Sequence, residues 1–489
     1  MASRDVRDRA EAKSLAFEYF PSFLRSREHA LKINAWMRGN QYRASEDMDV
    51  ADPFYGRAYA PARAETTLEY DNIRSLSSNN FASLVVSAVA QVSHMKGISR
   101  SGSTDTLKIW ETFQRNQWTS RQHPIHRAAI GHGVAYGVVV PGEDPLSGSP
   151  LARMRGKAAT RMAAFYDDDD DEWAEFAIEA TKSFKSRSIE RIQEGWDVKL
   201  WNKRGIHILK CKGDGETLDD WTYIERIDHF MRVTPIARLA NQIDLDGHTI
   251  GEIEPVLPIL RRIDQDLFDR LIKQRFGAWK VRYIAGMAKP KASDEQATKM
   301  RLAIDDLLVS TDKETKFGTL DADDLKGQIE ATDADLRLLS AISQTPPHHL
   351  LGLSSNLQAE ALAAAEAGLK RKSFLFRTNA ADFHSQMARL AAMAENDRET
   401  AGAWDLSVSW MPDETQSMIQ AAQSMAVFAD QVHVPLEMVW EMMPGWTDSD
   451  VERAKRLVED GSIDALIQEL LNDTEATGGN PNPSPAAAE

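Results

Sequence analysis

Cysteine is all but missing from this chain, with Cys211 alone among 489 residues. One thiol cannot form an intrachain disulfide, and a cysteine-rich metal site needs several, so both are excluded. Long apolar runs are missing too. No stretch approaches the ~20 apolar residues that span a bilayer, and Met1-Ala2-Ser3-Arg4-Asp5 has none of the apolar core of a secretory signal. The expectation is a protein with no membrane partner. A phosphate-binding loop needs two glycines, a lysine and a hydroxyl in register, so that backbone donors wrap the phosphates. The nearest stretch, Gly156-Lys157-Ala158, lacks the first glycine and the hydroxyl. Nothing has the pattern of a nucleophile elbow or a zinc-peptidase helix, so no catalytic residue and no cofactor is expected. Positive charge is also short: 58 Lys and Arg stand against 74 Asp and Glu, a net charge of -16. Wrapping nucleic acid is driven by cations that displace counterions from phosphate, and this balance argues against it.

What is present reads as an α+β chain long enough for roughly two to four domains. Residues 7–42 have helical spacing through Leu15, Phe20, Leu24, Leu31 and Trp36, stopped at Gly39-Asn40. Residues 72–93 predict a second buried helix on Phe81, Val85, Val86 and Val89, and a third opens at Trp110 and continues from His123 to Ala129. Residues 134–140 read as a strand. Between 161 and 238, short runs of strand formers at 162–166, 173–178, 196–201, 206–211 and 221–227 alternate with charged or glycine turns, the pattern of an antiparallel meander. From Ile253 to Phe276 the apolar residues return to three-and-four spacing, with Pro255 and Pro258 suiting a helix start. That helix is about 33 Å long at 1.5 Å per residue, and its wet face carries Arg261, Arg262, Asp264, Asp269, Arg270 and Lys273. A small α/β insert follows, with a strand at 279–284, a capping box at Ser293-Asp294-Glu295-Gln296 opening a helix to Leu308, and a turn or strand at 317–320. Residues 411–471 are again helical in pattern, and 472–489 are proline-, glycine- and alanine-rich, as in disordered tails.

Residues 329–393 are the most informative stretch. A helix with Leu336, Leu339 and Ile342 on one stripe ends at Pro346-Pro347, since proline lacks a backbone donor and drives its predecessor out of helical geometry. His348-His349-Leu350-Leu351-Gly352-Leu353-Ser354-Ser355-Asn356 follows as a loop. From Gln358 to Met393 good helix formers dominate and carry Lys370-Arg371-Lys372, with Gly368 as a plausible bend.

This order resembles tailed-bacteriophage portal proteins of the siphovirus type. Trp36-Met37-Arg38-Gly39-Asn40 with Tyr42, Gly133-Val134-Ala135-Tyr136, and Thr234-Pro235-Ile236 are similar to that family's wing. The resemblance implies a portal fold: wing 1–246, stem helix 247–276, clip 277–324, second stem helix 325–345, tunnel loop 346–357, long helix and returning wing segment 358–410, crown 411–471 and tail 472–489. It implies a homo-oligomeric ring, a dodecamer, at one capsid vertex of the virion, assembled in the bacterial host cytoplasm. Genome packaging and ejection would pass through it. Partners would be the terminase large subunit, head-completion and adaptor proteins, major capsid and scaffolding proteins, and double-stranded DNA bound without sequence preference. The bore would be lined by Pro347, His348, His349, Ser354, Ser355, Asn356 and Gln358, with Lys370, Arg371 and Lys372 making phosphate or intersubunit contacts; Tyr283, Lys289 and Lys291 would serve clip docking.

Two other classes are weighed against it. A metal-dependent phage head nuclease or maturation enzyme would use the acidic run Asp167 to Glu172, which as carboxylates could take hard cations, and His123, His126 and His132, whose imidazoles could take zinc. The run reads better as a solvated turn between two strands, and the histidines lack a fourth ligand. A helical scaffold unrelated to phage is the third class. Trp36, Trp110 and Trp118 are expected in the core, whereas Trp404, Trp410, Trp440 and Trp446 are candidates for packing between subunits.

Overall fold

The computed structural model describes residues 8–39, 73–100, 106–167, 172–187, 190–277, 282–285, 316–319, 325–352, 359–411, 439–440 and 448–459. In chain order the elements are α1 (Arg9–Arg38), α2 (Phe81–Val92), β1 (Met95–Arg100), α3 (Thr106–Arg115), α4 (Trp118–His132), β2 (Val134–Val140), β3 (Arg153–Ala158), β4 (Met162–Phe165), β5 (Phe176–Arg187), β6 (Glu190–Asn202), β7 (Ile206–Lys212), β8 (Trp221–Ile227) and β9 (Ile236–Ala240). The short pair β10 (Gln242–Ile243) and β11 (Thr249–Ile250) leads to α5 (Leu257–Gly277), β12 (Arg282–Ala285), β13 (Lys316–Thr319), α6 (Lys326–Ser343), α7 (Pro347–Leu351), α8 (Ala359–Ala394), α9 (Arg398–Ala401), β14 (Leu406–Trp410) and α10 (Asp448–Glu459). The class is α+β, as expected. The chain forms two compact units, one from Met1–Ala30, Val86–Gly251 and Leu369–Glu489, the other from Leu31–Val85 and Glu252–Gly368.

In the first unit the meander is a five-stranded antiparallel sheet, β4-β5-β6-β7-β8. One face is covered by α1, whose start is fixed by Asp8: its carboxylate accepts from the backbone of Ala10 and Glu11 at 2.8 Å. Ala12, Leu15, Ala16, Phe20 and Phe23 recur every three or four residues and pack on Phe176, Trp196, Val198, Leu209 and Trp221. Phe20 meets Trp221 edge-on at 5.0 Å, so aromatic contacts add to the area buried. A second sheet, β3-β2-β9, has β2 at its centre. Its sequence VAYGVVV is buried almost throughout, as a strand covered on both faces must be. Gly137 permits the cover, because a Cβ there would lie 2.8 Å from the Phe383 ring of α8. The third pairing joins β1 to β14, Ile98 opposite Val408.

Several expectations change. The helix expected over 72–93 is broken before Phe81, because Asn79 Oδ1 accepts the Phe81 N–H at 3.1 Å and caps α2. The third helix is two, split where Gln117 takes φ 56°. Gly156-Lys157-Ala158 lies in β3, with Gly156 opposite Gly137 and Lys157 Nζ 2.5 Å from Glu179 Oε1, a setting for a strand and not for a phosphate loop. Trp36 and Trp118 are fully buried and Trp110 is half-buried. Trp404 is exposed, whereas Trp410 lies tilted against the His126 and His384 rings within its own chain. Trp446, the 293–308 helix and the tail lie outside the described residues, as does most of the expected crown.

In the second unit α5 and α6 come before and after the β12–β13 pair in chain order, and in that pair Tyr283 stands opposite Gly318. Asp264 was expected on the wet face of α5 but is 1% exposed. Its Oδ1 accepts from the Asn79 backbone N–H at 3.1 Å and from the Asn79 side-chain amide. A buried carboxylate is tolerable only with such donors, which is why periodicity alone misplaced it.

Candidate functional site

The site begins where α5 and α6 are locked together. Arg262 Nε donates to Asp335 Oδ2 at 2.6 Å while Arg262 Nη2 reaches Asp335 Oδ1, a two-pronged pair. The Asp335 carboxylate holds the Arg262 guanidinium above its ordinary pKa. Burial, with Asp335 and Asp269 nearby, raises the Asp266 carboxyl. Leu336 and Leu339 face inward, but Ile342 is exposed along with Ile329 and Leu338.

Proline was expected to end α6. The helix ends one step earlier, at Gln344, which adopts the left-handed conformation with φ 53°. A buried hydroxyl cluster fixes this exit: Ser340 Oγ donates to the Thr345 carbonyl at 2.7 Å and Ser343 Oγ donates to Thr345 Oγ1 at 2.9 Å. Thr345→Val keeps the shape but removes the acceptor that Ser343 uses. A loss of about 1 kcal/mol is expected, read as a lower urea midpoint with unchanged slope; an unchanged midpoint would show that the cluster does not set the exit.

The stretch expected as an open loop is a single helical turn in its first half. Pro346 is extended at its cap and Pro347 takes the first helical position, where a missing N–H costs nothing. His349 N–H donates to the Pro346 carbonyl at 3.0 Å and Gly352 N–H to the His348 carbonyl at 3.1 Å. Gly352 closes the turn at φ 65°, a conformation glycine adopts without strain. Pro347 and His349 are exposed, but the His348 side chain folds back toward Glu366 and keeps only 11% of its surface exposed. Ser354, Ser355, Asn356, Gln358, Lys289 and Lys291 lie outside the described residues.

The α8 helix runs unbroken through Gly368. Of its basic triplet, Arg371 is exposed, Lys370 is half-buried and Lys372 is buried at 8%. Only part of the triplet therefore faces outward. Arg371, Phe374, Leu375 and Thr378 share an exposed stripe at i, i+3, i+4 and i+7, with Phe374 69% and Leu375 62% exposed.

Further along α8, His384 ends a relay that sequence reasoning missed. Trp118 Nε1 donates to His384 Nδ1 at 3.2 Å, His384 Nε2 lies 3.0 Å from His126 Nε2, and His126 Nδ1 lies 2.8 Å from the Ser93 carbonyl. An indole can only donate and a carbonyl can only accept, so each imidazole carries one proton and both are neutral. Burial pushes His126 down to about 4 and His384 well below its ordinary value. With both His126 nitrogens engaged and His123 exposed, the zinc reading of His123, His126 and His132 fails. Glu172, at the end of the acidic run, pairs with Arg389; residues 168–171 lie outside the described residues.

Comparison with known proteins settles the class. The family of phage portal proteins described as SPP1 Gp6-like matches residues 32–463, most of the chain. The chain belongs to that family. Among solved structures, a chain from the virion of a native gene transfer agent (GTA) particle is similar at 13% identity, with a TM-score of 0.41, over 80% of this chain and 98% of that one. No curated protein matches.

Proposed function

We propose that this portal family member forms a closed homo-oligomeric ring at one capsid vertex, the conduit for packaging and ejection of the genome. The observation that carries the reading is the family match over residues 32–463. The element order supports it: α5, the β12–β13 pair, α6, a capped turn and the long α8 follow one another as stem, clip, second stem, tunnel segment and long helix would. Within such a ring the exposed Ile329, Leu338, Ile342, Phe374 and Leu375 are faces for neighbouring subunits, since apolar surface of this kind marks interaction sites. The stripe of Arg371 with Phe374 and Leu375 fits an intersubunit role better than phosphate contact. Tyr283 and the residues after β12 would present the clip to terminase and later to head-completion proteins. With net charge -16, contact with DNA is weak, salt-sensitive and indifferent to sequence. The ring does no bond chemistry.

Negative-stain images and light scattering of the full chain test this: rings with a central hole are expected, and a monomer mass at every protein and salt concentration would reject it. Deleting residues 353–356 is expected to leave rings intact while abolishing DNA packaging in vitro, because the subunit faces come from other parts of the chain. Rings that package normally would remove this segment from the bore.

A further inference from the structure

His348, His349 and Glu366 converge on one point for reasons of local chemistry. Pro346-Pro347 start a helix of one turn, which sets two consecutive imidazoles side by side with ring centroids 4.4 Å apart. Glu366, on α8, supplies a carboxylate whose Oε1 is 3.9 Å from His348 Nε2. One donor atom from each of the three residues lies within 4.8 Å of the others. These distances are too long for hydrogen bonds, which close to about 2.7–3.2 Å. In addition, His348 Nδ1 is buried with no hydrogen-bond partner, an arrangement that native structures rarely leave unexplained.

We propose that His348, His349 and Glu366 bind a divalent transition-metal ion of the imidazole-preferring class, Zn²⁺ or Co²⁺. Two ring nitrogens and one carboxylate are the donor set such ions take, whereas Ca²⁺ and Mg²⁺ take oxygen alone. Metal–ligand bonds of about 2.0–2.2 Å put tetrahedral donors roughly 3.3 Å apart, so the present spacing closes by small side-chain rotations. Water fills the remaining position. The ion would tie α7 to α8, cross-linking His348 and His349 to Glu366. That α7 borders the bore rests on the portal reading; the metal site does not.

The test uses the full-length protein, stripped with a chelator and titrated with Co²⁺. One equivalent per chain with a visible d–d absorption band is expected, displaced by Zn²⁺, together with a Zn²⁺-dependent rise in melting temperature. His349→Ala and Glu366→Gln should each abolish band and shift; His349 is exposed, so its loss leaves packing intact. His248→Ala serves as control, because Asp244, Asp246 and His248 form an exposed cluster elsewhere. A band that survives both His349→Ala and Glu366→Gln, a band lost in His248→Ala, or no band at micromolar Co²⁺ would overturn the proposal. Metal stoichiometry is read per chain, so a protein that stays monomeric refutes the ring and leaves this result standing.

Discussion

His384→Leu is expected to melt far below the parent protein and to respond less to acid. Leucine removes the acceptor for Trp118 Nε1 and the donor for His126 Nε2, both fully buried. Leaving buried polar groups without partners costs about 1–3 kcal/mol each, so a total of roughly 3 kcal/mol or more is expected. The acid response follows from linkage. In the unfolded chain these histidines take up protons near 6.5, while folding lowers His126 to about 4, through burial first and then through His94 and His123 nearby. His207 falls to about 4, and His229 and His384 are also lowered, again chiefly by burial. Between those values the unfolded state binds more protons, so stability is full above pH 6.5 and drains away as pH falls toward 4. At 1.36 kcal/mol per pKa unit, His126 alone accounts for about 3 kcal/mol. Urea titrations at pH 7 and pH 4.5 measure both effects. Equal midpoints at the two pH values in the parent, or an undiminished acid loss in His384→Leu, would contradict the relay.

Gly195→Ala should be at least as damaging, for a reason of space. Gly195 stands at φ 155° in β6 opposite Lys212. A Cβ there would collide with the Cys211 carbonyl oxygen and sit 3.0 Å from Lys212 Cα. Both obstacles are backbone, so β6 and β7 would have to part, and with them the packing of Trp196 under α1. A loss of about 4 kcal/mol or more is expected. Gly213→Ala is the comparison: φ is also positive, 55°, but the space around it is open, and a cost of about 1 kcal/mol is expected from conformation alone. Equal midpoints in circular-dichroism melts of the two variants would mean that close approach of the strands is not what selects glycine at 195.

The sequence announced those parts whose signal is local. Alternation at 162–166, 196–201, 206–211 and 221–227 carried the meander because each run buries one face of a sheet, and the spacing of Ile253 to Leu267 carried α5 because it buries one side of a helix. Where a distant residue decides, the local pattern misled. Asp264 reads as solvent-facing until Asn79 is beside it, and Arg153–Ala158, rich in charge and glycine, becomes a strand only because β2 offers it a ladder. The candidate site shows the same division. Its helices were legible from periodicity and the break between them from Pro346-Pro347, but nothing in the order of residues tells that the stretch after the break winds into a helical turn, that Glu366 returns to face His348, that Lys372 turns inward, or that His384 completes a relay begun at Trp118.

The β1–β14 pair carries a consequence for how the molecule is made. Ile98 meets Val408, so β1 emerges from the ribosome some three hundred residues before its partner exists. Closing so long a loop is slow as well as costly, and until it closes, β1 offers a bare edge to any other nascent strand. Synthesis order thus imposes a waiting period: the first unit cannot close its β1 edge until residue 410 has been made.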